Sequence, residues 1–472
     1  MNDSPADKGA NVTQTLFASR RKLYLRFAQG TFQNWRIALV VLSQVVFFGL
    51  PWLTWGGRQA LLFDLGARKF YLFGVVFWPQ DIIYLTALLI ISAYSLFLFT
   101  AVAGRVWCGY ACPQTVYTEL LMWIERAIEG SRNARMKLDA APWSVNKVAR
   151  KLIKHILWVI VALWTGITFV GYFTPIRELM TELPFGLSGW ELFWILLYGG
   201  MVYILAGWLR EQVCKYMCPY ARFQSAMFDR DTMIITYDAG RGEPRGARGR
   251  KVDLKNAQLG HCVDCGLCVQ VCPTGIDIRG GLQYECIGCA ACVDACDGVM
   301  KKMDYPKGLI RYTTENALAS GYSRKEVLKR VLRPRTLFYT VLLLVIVVGV
   351  AVSLWARNPL KVDVLRDRGA MAREAAPGVI ENVYRMQIMN TEERAHQFVI
   401  EVTGLPGIEV GELEQPISVD GASARMVPLS ARFKLPRDGW EAGMYPIVFT
   451  IRAEDDKALR REEKSTFMVP KE

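Results

Sequence analysis

The residues most able to do chemistry are the cysteines, and all 12 fall between Cys108 and Cys296. Eight form two copies of one spacing: Cys262-x2-Cys265-x2-Cys268-x3-Cys272-Pro273, then Cys286-x2-Cys289-x2-Cys292-x3-Cys296. Three closely spaced thiolates can hold three irons of a cubane, and the fourth of each run crosses to complete the neighbouring cluster. The spacing therefore predicts two [4Fe–4S] clusters, one on Cys262, Cys265, Cys268 and Cys296, the other on Cys286, Cys289, Cys292 and Cys272. Zinc is the weaker reading, because its sites rarely use two runs with this triple spacing. The second run ends in Asp297 where the first has Pro273, which leaves the ligand set intact.

The other four cysteines form a second repeat. Arg105-Val-Trp-Cys108-Gly-Tyr110-Ala-Cys112-Pro113 and Arg210-Glu-Gln-Val-Cys214-Lys-Tyr216-Met-Cys218-Pro219 are both Cys-x3-Cys-Pro, with Tyr at the same inner position. A four-residue step predicts two thiols on one helix face, one turn apart. The bland alternative is a set of buried apolar cysteines at helix ends. Against it stand the duplication, the upstream arginines and the proline after each second thiol. Soft thiolates select Cu(I), zinc or iron–sulfur centres, with Met122, Met217 and Met227 nearby in sequence. A thiolate-rich site favours Cu(I) over Cu(II), so beside an electron donor it would favour reduction of cupric ion. Copper is thus expected at Cys108, Cys112, Cys214 and Cys218, as substrate or bound ion, and the same four are the candidate catalytic residues. Haem is a poor fit: the three histidines are unpaired at helical spacing and no Cys-x2-Cys-His site is present.

The elements that must position these thiols are apolar. Of 472 residues, 52% are hydrophobic and 12% aromatic, more than one soluble core consumes. Five stretches lack charge for about 20 residues, the length of a membrane-crossing helix: between Arg36 and Arg58, between Asp81 and Arg105, from His155 to Ile176, between Glu191 and Arg210, and between Arg335 and Arg357. Lysine and arginine crowd the N-terminal tail (Arg20, Arg21, Lys22, Arg26, Arg36) and the loop after the second span (Arg105 to Lys154), while the alternate loops are poor in both. Cationic flanks stay in the cytoplasm, which places the N-terminus and both cysteine-bearing segments there and the C-terminal domain in the periplasm. The net charge of +13 then reflects topology and anionic lipid contact. No nucleic-acid motif is present. A reducing cytoplasm also disfavours disulfides for these cysteines.

The expected architecture is an α-helical membrane protein of five transmembrane helices, with an inserted two-cluster bacterial ferredoxin-like module and a C-terminal Ig-like β-sandwich. Its boundaries are a cytoplasmic tail (1–35) with an amphipathic basic stretch from Arg20 to Phe27, a four-helix membrane core (36–210), a linker (211–256), the cluster module (257–310), a second linker (311–336), the fifth span (337–356) and the periplasmic domain (357–472). Residues 230–256, rich in Gly, Arg and Asp, predict a mobile linker. Strand-like alternation in Val383–Met389, Gln397–Val402 and Tyr445–Ile451, with turns at Gly404, Pro406-Gly407 and Asp420-Gly421, predicts the sandwich. That domain has no cysteine, so it must hold without disulfides, and partner contact is its expected role.

Five spans, two Cys-x3-Cys-Pro motifs, a two-cluster insertion before the last span and a β-rich tail together resemble the cytochrome c oxidase accessory family called CcoG, FixG or RdxA, over nearly the whole chain. The resemblance implies reduction of Cu(II) to Cu(I) for copper export and assembly of cbb3-type oxidase. It also implies a copper exporter and oxidase assembly factors as partners, and location in the bacterial inner membrane. Quinol-oxidising maturation ferredoxins share the four-span core and both motifs, and are the alternative. A non-enzymatic copper-binding assembly scaffold is a third reading. No nicotinamide or flavin fingerprint is present, so the sequence names no electron donor, and it leaves homo-oligomerisation open.

Overall fold

The computed structural model describes residues 22–250, 252, 258–366, 372–436 and 441–470. Arg20 and Arg21 of the basic stretch, and part of the 230–256 segment, lie outside these. The chain divides into two compact units: residues 22–38 with Ala103–Leu157 and Leu209–Ser323, and Leu39–Val102 with Trp158–Trp208 and residues from Arg324 onward.

Among the described residues, five helices are long and apolar enough to cross a membrane: Thr31–Trp52, Pro79–Ala103, Val145–Val170, Gly189–Leu209 and Pro334–Trp355. They overlap the five uncharged runs, though the third starts ten residues before His155 and takes in Lys147, Arg150, Lys151 and Lys154. Pro334 starts the last at its first turn, where a missing N–H costs nothing. Ser188 and Glu191 form a capping box at the start of the fourth. The second and fifth expose large apolar side chains such as Leu85, Leu89, Leu344 and Val345, a composition that suits a helix apolar all round.

In the unit built from Leu39–Val102, Trp158–Trp208 and the C-terminal residues, the C-terminal domain is two antiparallel sheets. One has the order Ile408–Val410, Ala424–Lys434, Val379–Asn390, Leu360–Arg366, with Arg373–Ala376 also paired to Val379–Asn390. The other runs Ile417–Val419, His396–Thr403, Gly443–Ala453, Arg460–Val469. Alternation along His396–Thr403 turns His396, Phe398, Ile400 and Val402 inward. Tyr384, Phe398, Phe433, Phe449 and Phe467 fill the core, and the Tyr384 hydroxyl donates to the Thr466 carbonyl (2.8 Å). Sequence alternation missed a three-stranded meander, Leu61–Asp64, Lys69–Leu72 and Val75–Phe77. Buried Asp81 beside it accepts from Arg357 (2.7 Å) and from Lys361.

The other unit holds every cysteine. Both expected linkers are corrected here. Within 211–256 lie the helix Pro219–Met227 and the strand Ile234–Tyr237, and within 311–336 lie the helix Glu315–Ser320 and, in the unit that carries the C-terminal domain, the helix Arg324–Val331. Ile234–Tyr237 pairs antiparallel with Ile310–Thr313, so a two-stranded ribbon brackets the cysteine runs. Within the glycine- and arginine-rich stretch Gly242 is buried against the Tyr237 ring, where an added Cβ would stand 2.1 Å from its hydroxyl.

Candidate functional site

The two cysteine runs repeat in backbone conformation as well as in spacing. Asp264 and Gly266 in the first run, and Gly288 and Ala290 in the second, all have positive φ (51°, 65°, 67° and 58°). Asp264 and Ala290 are thus held in a region costly for residues with a Cβ. Each run then enters a helix, Leu267–Gln270 or Ala291–Met303.

The structure sorts the eight thiols into two apolar cavities. One, of about 370 Å³, is lined by Cys262, Cys265, Cys268 and Cys296 with Leu267, Met300 and Leu309. The other, of about 330 Å³, is lined by Cys286, Cys289, Cys292 and Cys272, with Cys268 at its edge and Ile276, Ile278 and Ile287 around it. The grouping is the crossed one, with the last cysteine of each run facing the other run's first three. Burial pushes the thiols of Cys286 and Cys296 up to about 12 and that of Cys268 to about 11. Thiolates in such places need positive charge beside them, and iron supplies it on ligation. Donor type, number and apolar enclosure all fit [4Fe–4S] clusters.

The Cys-x3-Cys-Pro motifs do not lie on continuous helices. Cys108 sits in the short helix Val106–Tyr110, while Cys112 is the N-cap of Pro113–Glu129. Cys214 sits in a π-turn, Val213–Met217, and Cys218 is the N-cap of Pro219–Met227. The expectation of two thiols one turn apart on one helix face is corrected, and proline is the reason. It forces the preceding residue out of the helical region, and both Cys112 (φ −61°, ψ 128°) and Cys218 (φ −77°, ψ 111°) are extended.

Cys108, Cys112 and Cys218 nonetheless lie within electrostatic reach of Cys214. Burial pushes Cys214 up to about 12, and the neighbouring Cys112 and Cys108 add to the rise. Cys108 and Cys112 are raised by burial too, and Arg105 pulls against the rise at all three. Arg105 Nε and Cys108 Sγ both donate to Gln224 Oε1, at 3.2 and 3.3 Å. The two upstream arginines differ in role, since Arg210 instead donates to Glu125 (2.6 Å). Tyr216 and Met217 are exposed, and Met122 lines a cavity together with Cys214. Among the described residues, no group of three or more His, Cys, Asp or Glu side chains is arranged to hold a single metal ion.

What sequence reasoning missed is the apposition of the two thiol sets. A Cβ on Gly109 would stand 2.8 Å from the Cα and N of Cys289 and from the Ile287 carbonyl. A Cβ on Gly288 would stand 3.1 Å from the Arg105 carbonyl. Arg105 also donates to the Tyr284 carbonyl, and Tyr312 to that of Gly288. The helix carrying Cys108 is therefore pressed backbone to backbone on the loop carrying Cys286 and Cys289. Glycine at both facing positions was the only trace of this in the sequence. Asp294, between Cys292 and Cys296, accepts from the backbone N–H groups of Phe32 (3.2 Å) and Gln33 (2.7 Å), fastening the module to the first turn of the first long helix.

A fold of five long apolar helices, two cysteine-lined cavities and a β-sandwich defines an iron–sulfur electron-transfer protein. Three family models match: a 4Fe-4S binding domain over residues 85–130, a 4Fe-4S dicluster domain over 209–315, and the Ig-like fold at the C-terminus of FixG over 350–470. The nitrogen fixation protein FixG of Rhizobium meliloti is 34% identical across 99% of this chain and 96% of its own. Protein RdxB of Cereibacter sphaeroides is 37% identical across 89% of this chain and 88% of its own. The ferredoxin-type protein NapH of Haemophilus influenzae is 26% identical across 42% of this chain and 57% of its own. The chain belongs to the FixG/RdxA family.

Proposed function

We propose that this protein is a membrane-bound one-electron reductase that converts Cu(II) to Cu(I) for assembly of cbb3-type cytochrome c oxidase. In this reading the five apolar helices cross the bacterial inner membrane, the N-terminus and cysteine-bearing unit face the cytoplasm, and the β-sandwich faces the periplasm toward copper-export and assembly partners. [4Fe–4S] clusters on Cys262, Cys265, Cys268 and Cys296 and on Cys286, Cys289, Cys292 and Cys272 would supply electrons singly. Cys108, Cys112, Cys214 and Cys218 would take the copper ion. Burial favours the neutral thiols of Cys108, Cys112 and Cys214, which lose protons on binding the ion, and Arg105 stabilises the thiolates that result. Soft sulfur ligands hold Cu(I) better than Cu(II), so the site favours the reduced product.

The observation that carries this reading is the glycine-mediated contact of the Cys108 helix with the Cys286–Cys289 loop, which brings the thiol site beside the source of electrons. The test is anaerobic. Protein with both clusters reduced, and free of excess reductant, receives Cu(II), and Cu(I) is captured by a chromogenic chelator. Wild type should yield up to about two Cu(I) per chain, one per cluster, and a Cys214→Ser/Cys218→Ser variant with full iron content should yield far less. Equal rates would remove the basis of the proposal.

A second reading has its own observation. A pocket beside Cys214, about 360 Å³ with its open mouth included, has a mainly apolar wall with Met122, Pro273 and Ile287 and carries the polar groups of Gln114, Glu119, Arg210 and Glu211, a combination suited to a quinol headgroup. Anaerobic cluster reduction by added quinol, without copper, would favour it.

A further inference from the structure

A cleft on the cysteine-bearing unit, separate from the thiol site, is built for an oxyanion. It measures about 750 Å³, open mouth included, and its lining has four arginines, Arg26, Arg126, Arg132 and Arg135, and no acidic residue. Arg135 is 6% exposed. One of its terminal nitrogens donates to the Leu25 carbonyl and another lies 3.6 Å from Glu125, yet its buried Nε has no partner. Arg132 spends its Nε on the Tyr24 carbonyl (2.8 Å), which leaves its two amino groups for a ligand. The Arg126 guanidinium stacks on Phe27, 4.2 Å from the ring centroid, and this leaves its in-plane donors open. At one edge Gly130, at φ +85°, turns the chain into the nine-residue helix Arg132–Ala140, whose N-cap Ser131 makes no side-chain capping bond.

We propose that this cleft binds a phosphate group. Guanidinium forks match phosphate oxygens in pairs, and the unsatisfied N–H groups of a helix start add a field of the same sign. The buried Arg135 Nε has no partner, a costly arrangement for a charged group, and an oxyanion within its reach supplies one. The cleft is concave and partly buried, so a compact phosphate fits it better than the flat acidic face of a protein. Its floor includes Gln270, whose carbonyl accepts from the Arg26 N–H (2.9 Å), two residues before Cys272. A phosphate held there sits directly against the cluster module. Two sources share this chemistry: the headgroup of an anionic phospholipid and a free phosphate or pyrophosphate.

The experiment uses the full chain with its clusters intact. In neutral detergent, pyrophosphate is titrated and followed by phosphorus NMR. In parallel, protein in nanodiscs of phosphatidylcholine, with or without phosphatidylglycerol, is tested for retained lipid by native mass spectrometry. Arg126→Gln/Arg132→Gln should weaken the ligand's hold about tenfold or more, the loss expected for one charge-assisted hydrogen bond. The exposed Arg26→Gln variant should weaken it less and serves if the double variant does not fold. Pyrophosphate binding alone names a soluble ligand, and selective retention of phosphatidylglycerol names lipid. Absence of both from wild type, or binding that neither variant weakens, overturns the proposal.

Discussion

The contact between Gly109 and the Cys286–Cys289 loop allows a sharp test by a single methyl group. Gly109→Ala places a Cβ 2.8 Å from three backbone atoms, the Cα and N of Cys289 and the Ile287 carbonyl oxygen. None belongs to a flexible side chain, so the two segments must part by about 0.6 Å to reach ordinary contact distance. Overpacking of this kind costs about 1–3 kcal/mol, partly offset by the gain of about 0.5–1 kcal/mol from replacing glycine within a helix. The expected net loss is about 1–2 kcal/mol, with a lower thermal midpoint and slower Cu(II) reduction at unchanged iron content. Gly298→Ala is the matched control. It lies on the exposed side of the helix Ala291–Met303 with no atom within 4 Å of the added Cβ, so it should raise stability by about 0.4–1 kcal/mol. Both are read anaerobically, by differential scanning fluorimetry and chelator-detected Cu(I). If the Gly109 variant matched wild type in both assays, the apposition argued here would be wrong.

Three other outcomes are expected. Cys262→Ser and Cys296→Ser should each lower iron by about four atoms per chain, and the double variant should lose no more, because both thiols face one cavity; a loss of eight from the pair would break the crossed grouping. Asp294→Ala removes the acceptor of the Phe32 and Gln33 N–H groups and should cost about 0.5–2 kcal/mol, seen as faster hydrogen exchange at residues 31–36, whereas unchanged exchange would count against the cap. Burial alone would lower the titration point of His396, but Asp455 (2.8 Å) and Glu392 (3.1 Å) outweigh it and raise it above its ordinary value of 6.5. The imidazolium is therefore favoured in the fold, with its stabilisation full below pH 6.5 and lost as pH rises through the elevated folded value. Exchange protection of His396–Thr403 should fall over that window in wild type and stay flat in His396→Gln.

The parts of this molecule that were legible in its sequence are those set by local pattern. Uncharged runs of fixed length located the five long helices, since a helix that is apolar all round carries that mark in its own sequence. Alternation in Gln397–Val402 and Tyr445–Ile451 marked two strands of the sandwich because one face of each meets the core. Cysteine spacing carried the paired runs, whose geometry is local to each loop. Features made by distant residues were not legible. The ribbon of Ile234–Tyr237 with Ile310–Thr313 joins segments too short and too far apart to read as strands alone, so both flanks of the module passed for linkers. Gly109 and Gly288 are common residues until their partner is known. The helical reading of Cys-x3-Cys gave the local step more weight than Pro113 and Pro219, although these prolines reset the chain at each second thiol. Gln224 and Arg135 carried no local mark, since burial and a missing partner are properties of the packed structure.

The ribbon has one more implication. Residues 238 to 309 leave and return at neighbouring points, so the whole metal-binding excursion hangs from a closed neck. The neck alone does not isolate the loop, because Cys289 and Gly288 pack on Gly109 and Arg105 and Asp294 holds Phe32 and Gln33. An exchanged insert would have to keep those docking residues for the surrounding scaffold to hold its shape.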